Sequence, residues 1–158
     1  SCYSFSKSLS IPGERIGYVA VNPESGVSAM LVNMCGQISR GIGHNCPSSV
    51  IQLAAADCCD LTSDLSVYET NMNLLYDALT ALGFDVVRPG GTFYLFPGVE
   101  KTGLDDKQFC KELLERAHVL VSAGSPFGKT GANHFRIACT VGIDQLKQAF
   151  DRMEKLEF

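Results

Sequence analysis

Lys7 stands among small hydroxyl residues in the segment Ser4-Phe5-Ser6-Lys7, and Arg15 follows it eight residues later. A lysine amine can form a Schiff base with an aldehyde. Hydroxyl groups and a guanidinium can hold a phosphate dianion nearby, because arginine stays charged and can bind two phosphate oxygens at once. The spacing is suggestive of this chemistry. The alternative is that Lys7 is a solvated surface charge, as most lysines are.

Strands and helices alternate along the first part of the chain. Residues 15–21 are rich in apolar and β-branched side chains, which predicts a strand. Residues 26–39 carry apolar side chains near helical spacing, and an alanine-rich stretch follows Pro47 from residue 49 to about 59. Two helices are expected there. One strand and two helices, however, are too few to bury their own apolar side chains.

The clearest helix is expected between Asp64 and Gly83, because its apolar positions recur at steps of three and four and therefore share one face. These positions are Tyr68, Met72, Leu75, Leu79 and Leu82. The polar segment 60–64 before this helix is the expected domain boundary. We therefore predict one domain over residues 1–60 and a second over residues 61–158.

The second domain mixes strands and helices. Residues 84–87 and 92–96 predict two short strands, antiparallel to each other, around a Pro-Gly-Gly turn. Asp105 and Gln108 resemble a capping box at the start of a helix. Further strands are expected at residues 119–122 and 134–139, followed by a last helix with apolar residues from 143 to 153. The fold class is therefore α/β or α+β, with a mixed sheet packed against helices.

The composition argues against several classes of protein. The chain has 158 residues, of which 46% are hydrophobic and 19% charged, so a folded chain is expected. Its net charge of −4, with scattered basic residues, predicts no nucleic-acid partner. No apolar run approaches the ~20 residues that span a bilayer, so no membrane partner is expected. The seven cysteines form no C-x-x-C, which favours reduced thiols in the cytoplasm and no metal site.

The segment from Gly124 to Thr130, GSPFGKT, is similar to a phosphate-binding P-loop but departs from it. The motif needs a glycine where Ala123 stands, and Pro126 removes a backbone donor from the cradle. A strand, and not the required helix, is expected after it. We therefore interpret the segment as an exposed turn.

Residues 4–18, SFSKSLSIPGERIGY, resemble the cofactor-lysine segment of fold type I pyridoxal-phosphate-dependent aminotransferases, the family that includes aspartate aminotransferase. In that family the lysine carries the cofactor, and a serine three residues before it and an arginine eight residues after it bind the cofactor phosphate. The resemblance assigns these roles to Lys7, Ser4 and Arg15.

The resemblance continues near the other end of the chain. Residues 90–96 are similar to a strand of the family's small domain, and residues 121–128 with 134–138 are similar to its closing segment. The arginine of that segment binds the substrate α-carboxylate, which implies this role for Arg136; the alternative is an ion-paired structural arginine. Arg40 lies where dicarboxylate-specific relatives bind a side-chain carboxylate, and its alternative is a solvated charge at a helix end.

The resemblance implies transamination between an amino acid and a 2-oxo acid, with pyridoxal phosphate as cofactor and a homodimer in the full-length form. Members of the family are more than twice as long. We therefore expect this chain to be the C-terminal portion, a remnant of the large cofactor domain followed by the small domain, and inactive alone. Two alternatives stay open: a lyase or decarboxylase of the same fold, and a non-catalytic binding module.

Overall fold

Residues 1–156 are described by the computed structural model, in which the chain divides after Asp64. The first unit is Ser1–Asp64, and the second begins at Leu65. The division lies at the end of the polar segment 60–64. Each unit has its own buried apolar cluster, and each is described by itself.

The first unit consists of two short strands, three α-helices and one turn of 3-10 helix (Pro12–Glu14) within the described residues. The strands and α-helices are β1 (Cys2–Ser4), α1 (Phe5–Ser8), β2 (Gly17–Val19), α2 (Ser28–Gly41) and α3 (Ser49–Asp57). β1 and β2 are antiparallel, and Ser4 lies opposite Gly17. The small core is formed by Phe5, Ile16 and Ala55.

The strand and both helices expected in this unit are present, with shifted ends. β2 occupies the middle of the predicted strand 15–21, and α2 and α3 match the two predicted helices within about two residues. The Ser48 hydroxyl accepts a hydrogen bond from the Ile51 N–H, which fixes the start of α3. The short elements β1 and α1 have no counterpart among the predictions.

The second unit packs three α-helices against a small sheet, and it also contains three short turns of 3-10 helix, within residues 65–156. Its strands and α-helices are α4 (Ser66–Ala81), β3 (Tyr94–Leu95), α5 (Asp106–Ala117), β4 (Ser122–Ala123), β5 (Phe135–Ala138) and α6 (Ile143–Met153). The sheet order is β3-β5-β4 with both pairs antiparallel, so β5 is the middle strand.

The predicted helices of this unit are confirmed, and their ends follow from local chemistry. Gly83 has a φ of 81°, a left-handed conformation that suits glycine just beyond the end of α4. Asp105 caps α5, because its carboxylate accepts hydrogen bonds from the N–H groups of Lys107 and Gln108 at 2.9 and 2.8 Å.

The predicted strand at residues 84–87 is wrong. Phe84 is buried, but its ring packs against aromatic rings of the core, and Val87 is 83% exposed. The strand expected over residues 92–96 is reduced to β3, and its partner is β5, with Tyr94 opposite Ala138. An apolar residue can be buried by packing without a strand ladder, which explains the difference.

Asn71 holds the end of β5 to α4. This side chain is 3% exposed, and its Nδ2 donates hydrogen bonds to the carbonyl oxygens of Cys139 and Val141, both at 3.0 Å. Because the amide nitrogen of Asn71 finds two acceptors, burying it away from water costs little free energy. The bonds therefore fix the chain directly after the middle strand of the sheet.

We expect Phe135→Ala to lower the free energy of unfolding by about 3–5 kcal/mol, because the phenyl group is fully buried. Its ring centroid lies 4.8 Å from that of Phe109 and 5.6 Å from that of Phe84, so the deletion leaves a cavity among rings. Urea unfolding measures the change. Leu120→Ala is the control, because Leu120 is 79% exposed and its loss should cost less than about 0.5 kcal/mol. Equal losses for the two variants would contradict the prediction.

Candidate functional site

Apart from Arg40, the predicted site residues belong to two groups, one in each unit. Ser4, Lys7 and Arg15 lie in the first unit, where they join Ser6 in what we call the lysine cluster. Arg136 lies in the second unit, where its guanidinium contacts the rings of Tyr94 and Phe127 in what we call the arginine cluster.

Two hydroxyl groups of the lysine cluster are joined by a hydrogen bond. Ser4 is the last residue of β1 and the N-cap of α1, and its Oγ accepts a hydrogen bond from the Ser6 N–H at 3.3 Å. The same oxygen donates to the Ser6 Oγ at 2.9 Å. The cap thus turns the chain from strand to helix and brings both hydroxyls together. Ser6 was not singled out from the sequence, although its place two residues after a capping serine was a usable signal.

The strand pair brings Arg15 to the same end of the unit. The Phe5 N–H donates to the Ile16 carbonyl at 3.1 Å, one step beyond the pairing of Ser4 with Gly17. A side chain on Gly17 would overlap the Tyr3 carbonyl oxygen, so glycine permits this close approach of the strands. Arg15 comes two residues before Gly17, and its backbone is left-handed with a φ of 53°.

The donors of the lysine cluster fit a phosphate dianion. The Arg15 guanidinium has five N–H donors, and one of its nitrogens, Nη1, donates to the Pro12 carbonyl at 2.7 Å. The Arg15 and Ser4 side chains are exposed, and the Lys7 side chain, one helical turn after Ser4, is exposed as well. Two hydroxyls, a permanent cation and a primary amine are a suitable set for a ligand that carries both a phosphate and an aldehyde.

Arg40 lies in the last turn of α2 with an exposed side chain. A cation at this end of a helix interacts favourably with the helix dipole, which is the alternative given above for this residue. A substrate role for Arg40 stays a prediction.

Arg136 occupies the middle strand of the second unit's sheet. Side chains alternate along β5, so Phe135 and Ile137 are buried while Arg136 is half-buried on the opposite face. Tyr94 is paired with Ala138 and therefore shares that face with Arg136. The guanidinium carbon lies 4.5 Å from the centroid of the Tyr94 ring and 4.6 Å from that of the Phe127 ring.

The faces of two aromatic rings contact this guanidinium. Among residues 1–156 no Asp or Glu oxygen lies within salt-bridge distance of Arg136, so the ion-paired alternative is not observed there. Rings attract the flat face of a guanidinium, which leaves the N–H groups at its edge suitable for bidentate bonds to a carboxylate. The aromatic contacts were missed from the sequence, because no local pattern pairs the strand of Tyr94 with the strand of Arg136.

The loop between β4 and β5 carries Phe127 to Arg136. It contains two turns of 3-10 helix, Ser125–Phe127 and Lys129–Gly131, and then leads into β5. Gly124 and Gly131 touch, since a side chain on either would overlap the carbonyl oxygen of the other. The loop contains the segment 124–130, which departs from the P-loop motif, and the strand expected after that segment is present as β5.

Among residues 1–156, no helix is long and apolar enough to cross a membrane. In the same residues, no group of three or more His, Cys, Asp or Glu side chains could hold a metal ion.

Comparison with known proteins shows the family to which the chain belongs. The family model for aminotransferase class I and II matches residues 1–153. Aromatic-amino-acid aminotransferase 2 of Thermococcus litoralis is 35% identical over 96% of this chain, and aspartate aminotransferase of Pyrococcus abyssi is also 35% identical over 96%. The chain spans 39% of the length of each of these curated relatives.

Solved structures agree with the family match. An amino transferase from Eubacterium rectale is 36% identical, with a TM-score of 0.80 over 98% of this chain and 37% of its own. Alanine aminotransferase from Pyrococcus furiosus is 31% identical, with a TM-score of 0.81 over 98% of this chain and 40% of its own. The predicted family and α/β fold class are thereby confirmed.

Proposed function

Because the chain belongs to the family of class I and II aminotransferases, we propose that the protein carrying it transfers an amino group between an amino acid and a 2-oxo acid with pyridoxal phosphate. The observation that supports the proposal is the lysine cluster, in which the pairing of β1 with β2 holds the backbone next to Arg15 against the start of the helix that carries Ser6 and Lys7. Activity is proposed for the whole protein, since the chain spans 39% of those relatives.

Each member of the lysine cluster has a proposed role. Ser4, Ser6 and Arg15 would hold the cofactor phosphate, and Lys7 would hold its aldehyde carbon. The bound cofactor supplies an electron sink for negative charge at the substrate α-carbon. The Lys7 amine, once the substrate amine has replaced it, would take the proton from that carbon and deliver it to the cofactor carbon that Lys7 had held.

Arg136 would bind the substrate α-carboxylate through two parallel N–H bonds. Its contacts with Tyr94 and Phe127 support this role, because they hold the guanidinium without neutralising it. In this proposal residues 1–60 are the end of the large cofactor-binding domain and residues 61–158 are the small domain.

We also propose that the full-length protein is a cytoplasmic homodimer. Large apolar side chains are exposed along α2, which supports coverage of this helix by a surface outside this chain, from the rest of the protein or from a second copy; they include Met30, Leu31, Val32, Met34 and Ile38. The absence of a disulfide among the seven cysteines, all within residues 1–156, supports a reducing compartment.

The phosphate-binding role is tested with Arg15→Ala in the protein at its native length. We expect the Kd for pyridoxal phosphate to rise by about 10- to 100-fold, because charge-assisted hydrogen bonds to the phosphate are lost. Pyridoxal, which has no phosphate, should bind both forms equally. The matched control is Arg152→Ala, which removes an exposed arginine of α6. An unchanged Kd, or an equal loss of pyridoxal affinity, would refute the role.

Product analysis separates amino transfer from the lyase and decarboxylase alternatives. Transfer predicts one 2-oxo acid formed for each amino acid consumed, with its carboxylate retained. Carbon dioxide release, or the loss of a side-chain fragment, would instead favour the alternative chemistry.

A further inference from the structure

A buried carboxylate near the start of α5 serves no role described so far. Asp106 is 5% exposed, and its Oδ2 accepts a hydrogen bond from the Ser125 N–H at 2.8 Å. Burial alone would raise the pKa of this carboxyl, but hydrogen bonding, chiefly from the Ser125 N–H, outweighs it, so the pKa lies below its ordinary value. Asp106 is therefore held as an anion.

Helix capping does not account for Asp106. The neighbouring Asp105 already accepts from the N–H groups of Lys107 and Gln108, and it does so from an exposed position. Removing the Asp106 carboxylate from water is costly unless hydrogen bonds offset the loss of solvation. The bond that Asp106 makes outside its own helix is directed at the loop between β4 and β5.

That bond fixes the turn that carries Phe127. Ser125 begins the turn Ser125–Phe127, which is closed by a hydrogen bond from the Phe127 N–H to the Gly124 carbonyl at 2.9 Å. The other end of the loop is held by the contact of Gly124 with Gly131 and by the Gly124 N–H, which donates to the His134 carbonyl at 2.8 Å. With both ends held, the backbone that carries the Phe127 ring is fixed.

The Phe127 ring in turn limits where the Arg136 guanidinium can lie. Phe127 is 52% exposed, so the ring is not buried in the core, and its contacts include the guanidinium at 4.6 Å and the Phe96 ring at 6.0 Å. A continuous path of contacts thus leads from the carboxylate through one turn of backbone to the arginine.

We propose that Asp106 is a positioning residue for substrate binding: by holding the Ser125–Phe127 turn, its carboxylate holds the ring that fixes the Arg136 guanidinium. This inference depends on the proposed role of Arg136. Such positioning acts on binding of the substrate carboxylate and leaves the chemistry at the α-carbon to the lysine cluster.

The test compares Asp106→Ala with Asp105→Ala in the native-length enzyme loaded with pyridoxal phosphate. Both variants remove one carboxylate from the start of α5, but only the first removes the bond to Ser125. We expect Asp106→Ala to raise KM for the amino acid about tenfold with kcat within about twofold, while Asp105→Ala leaves KM within about twofold. Asp106→Asn keeps an acceptor oxygen and should therefore avoid most of this rise in KM.

A double variant tests whether the effect passes through the ring. In a Phe127→Ala background, Asp106→Ala should raise KM no further, because the ring that it positions is already gone. A second measurement does not depend on turnover. When Asp106 is replaced by Ala, the NMR signal of the Arg136 Nε–H proton should lose the ring-current shift that the Phe127 ring imposes on it.

The outcomes separate this inference from the proposed function. An unchanged KM in Asp106→Ala, an equal rise in Asp105→Ala, or additive effects with Phe127→Ala would overturn the positioning role. If Arg136→Ala itself leaves KM unchanged, the proposed function of Arg136 fails. In that case the inference about substrate binding fails with it, whatever the ring-current shift shows.

Discussion

Lys7→Ala should lower the rate of transamination by at least about 10³-fold in the native-length enzyme, because it removes the amine proposed to hold the cofactor and to move the α-proton. Covalent attachment should be lost as well. Borohydride reduction followed by mass spectrometry of the peptide that contains residue 7 measures the attachment directly. Single-turnover kinetics with amino acid measures the proton transfer.

Two further variants show whether the loss is specific to the Lys7 amine. Lys7→Arg keeps a positive charge but offers a group that stays protonated, so it should be as inactive as the alanine variant. Lys147→Ala removes an exposed lysine of α6 and should leave the rate and the attachment unchanged. Substantial activity in Lys7→Arg would show that the charge, and not the amine chemistry, matters at this position.

For Arg136→Ala we expect kcat/KM for both the amino acid and the 2-oxo acid to fall by about 10²-fold, since two charge-assisted hydrogen bonds to the carboxylate are lost. Most of the effect should be a rise in KM. Binding of pyridoxal phosphate should be unchanged, because the proposed phosphate donors lie in the first unit.

The matched comparison for Arg136 is lysine, which keeps the charge and loses the planar pair of donors. Arg136→Lys should fall between the wild type and the alanine variant, at roughly a tenfold loss. An amine substrate with no carboxylate provides the second control, because its turnover should not depend on residue 136. If Arg136→Ala lowered kcat/KM equally for substrates with and without a carboxylate, Arg136 would not be the carboxylate-binding residue.

Local patterns were sufficient for the long helices of the second unit. These patterns act between residues that are close in the sequence and can therefore be recognised there. They are the apolar positions from Tyr68 to Leu82 on one helix face, the capping residue Asp105, and Gly83. The interpretation of residues 84–87 as a strand failed because burial of Phe84 comes from rings far away in the sequence. Apolar character alone does not say which partner buries a side chain.

The same distinction applies to the candidate site. Ser4, Lys7 and Arg15 are named by short offsets within one segment, and the structure places the flanking strands side by side. The contacts of Arg136 are different, because Tyr94 belongs to another strand, and the bond from Asp106 to Ser125 spans 19 residues. Contacts of this kind depend on the strand order β3-β5-β4, which no local pattern specifies.

The middle position of β5 has a consequence for how the protein could adapt to different substrates. A strand that is paired on both sides cannot shift without breaking two ladders, so the backbone of Arg136 is tied to the stability of the whole sheet. Phe127 is carried by a loop and is free of that constraint. Changes of loop length or sequence would therefore move the Phe127 ring, and through it the Arg136 guanidinium, while the backbone of Arg136 stays in place.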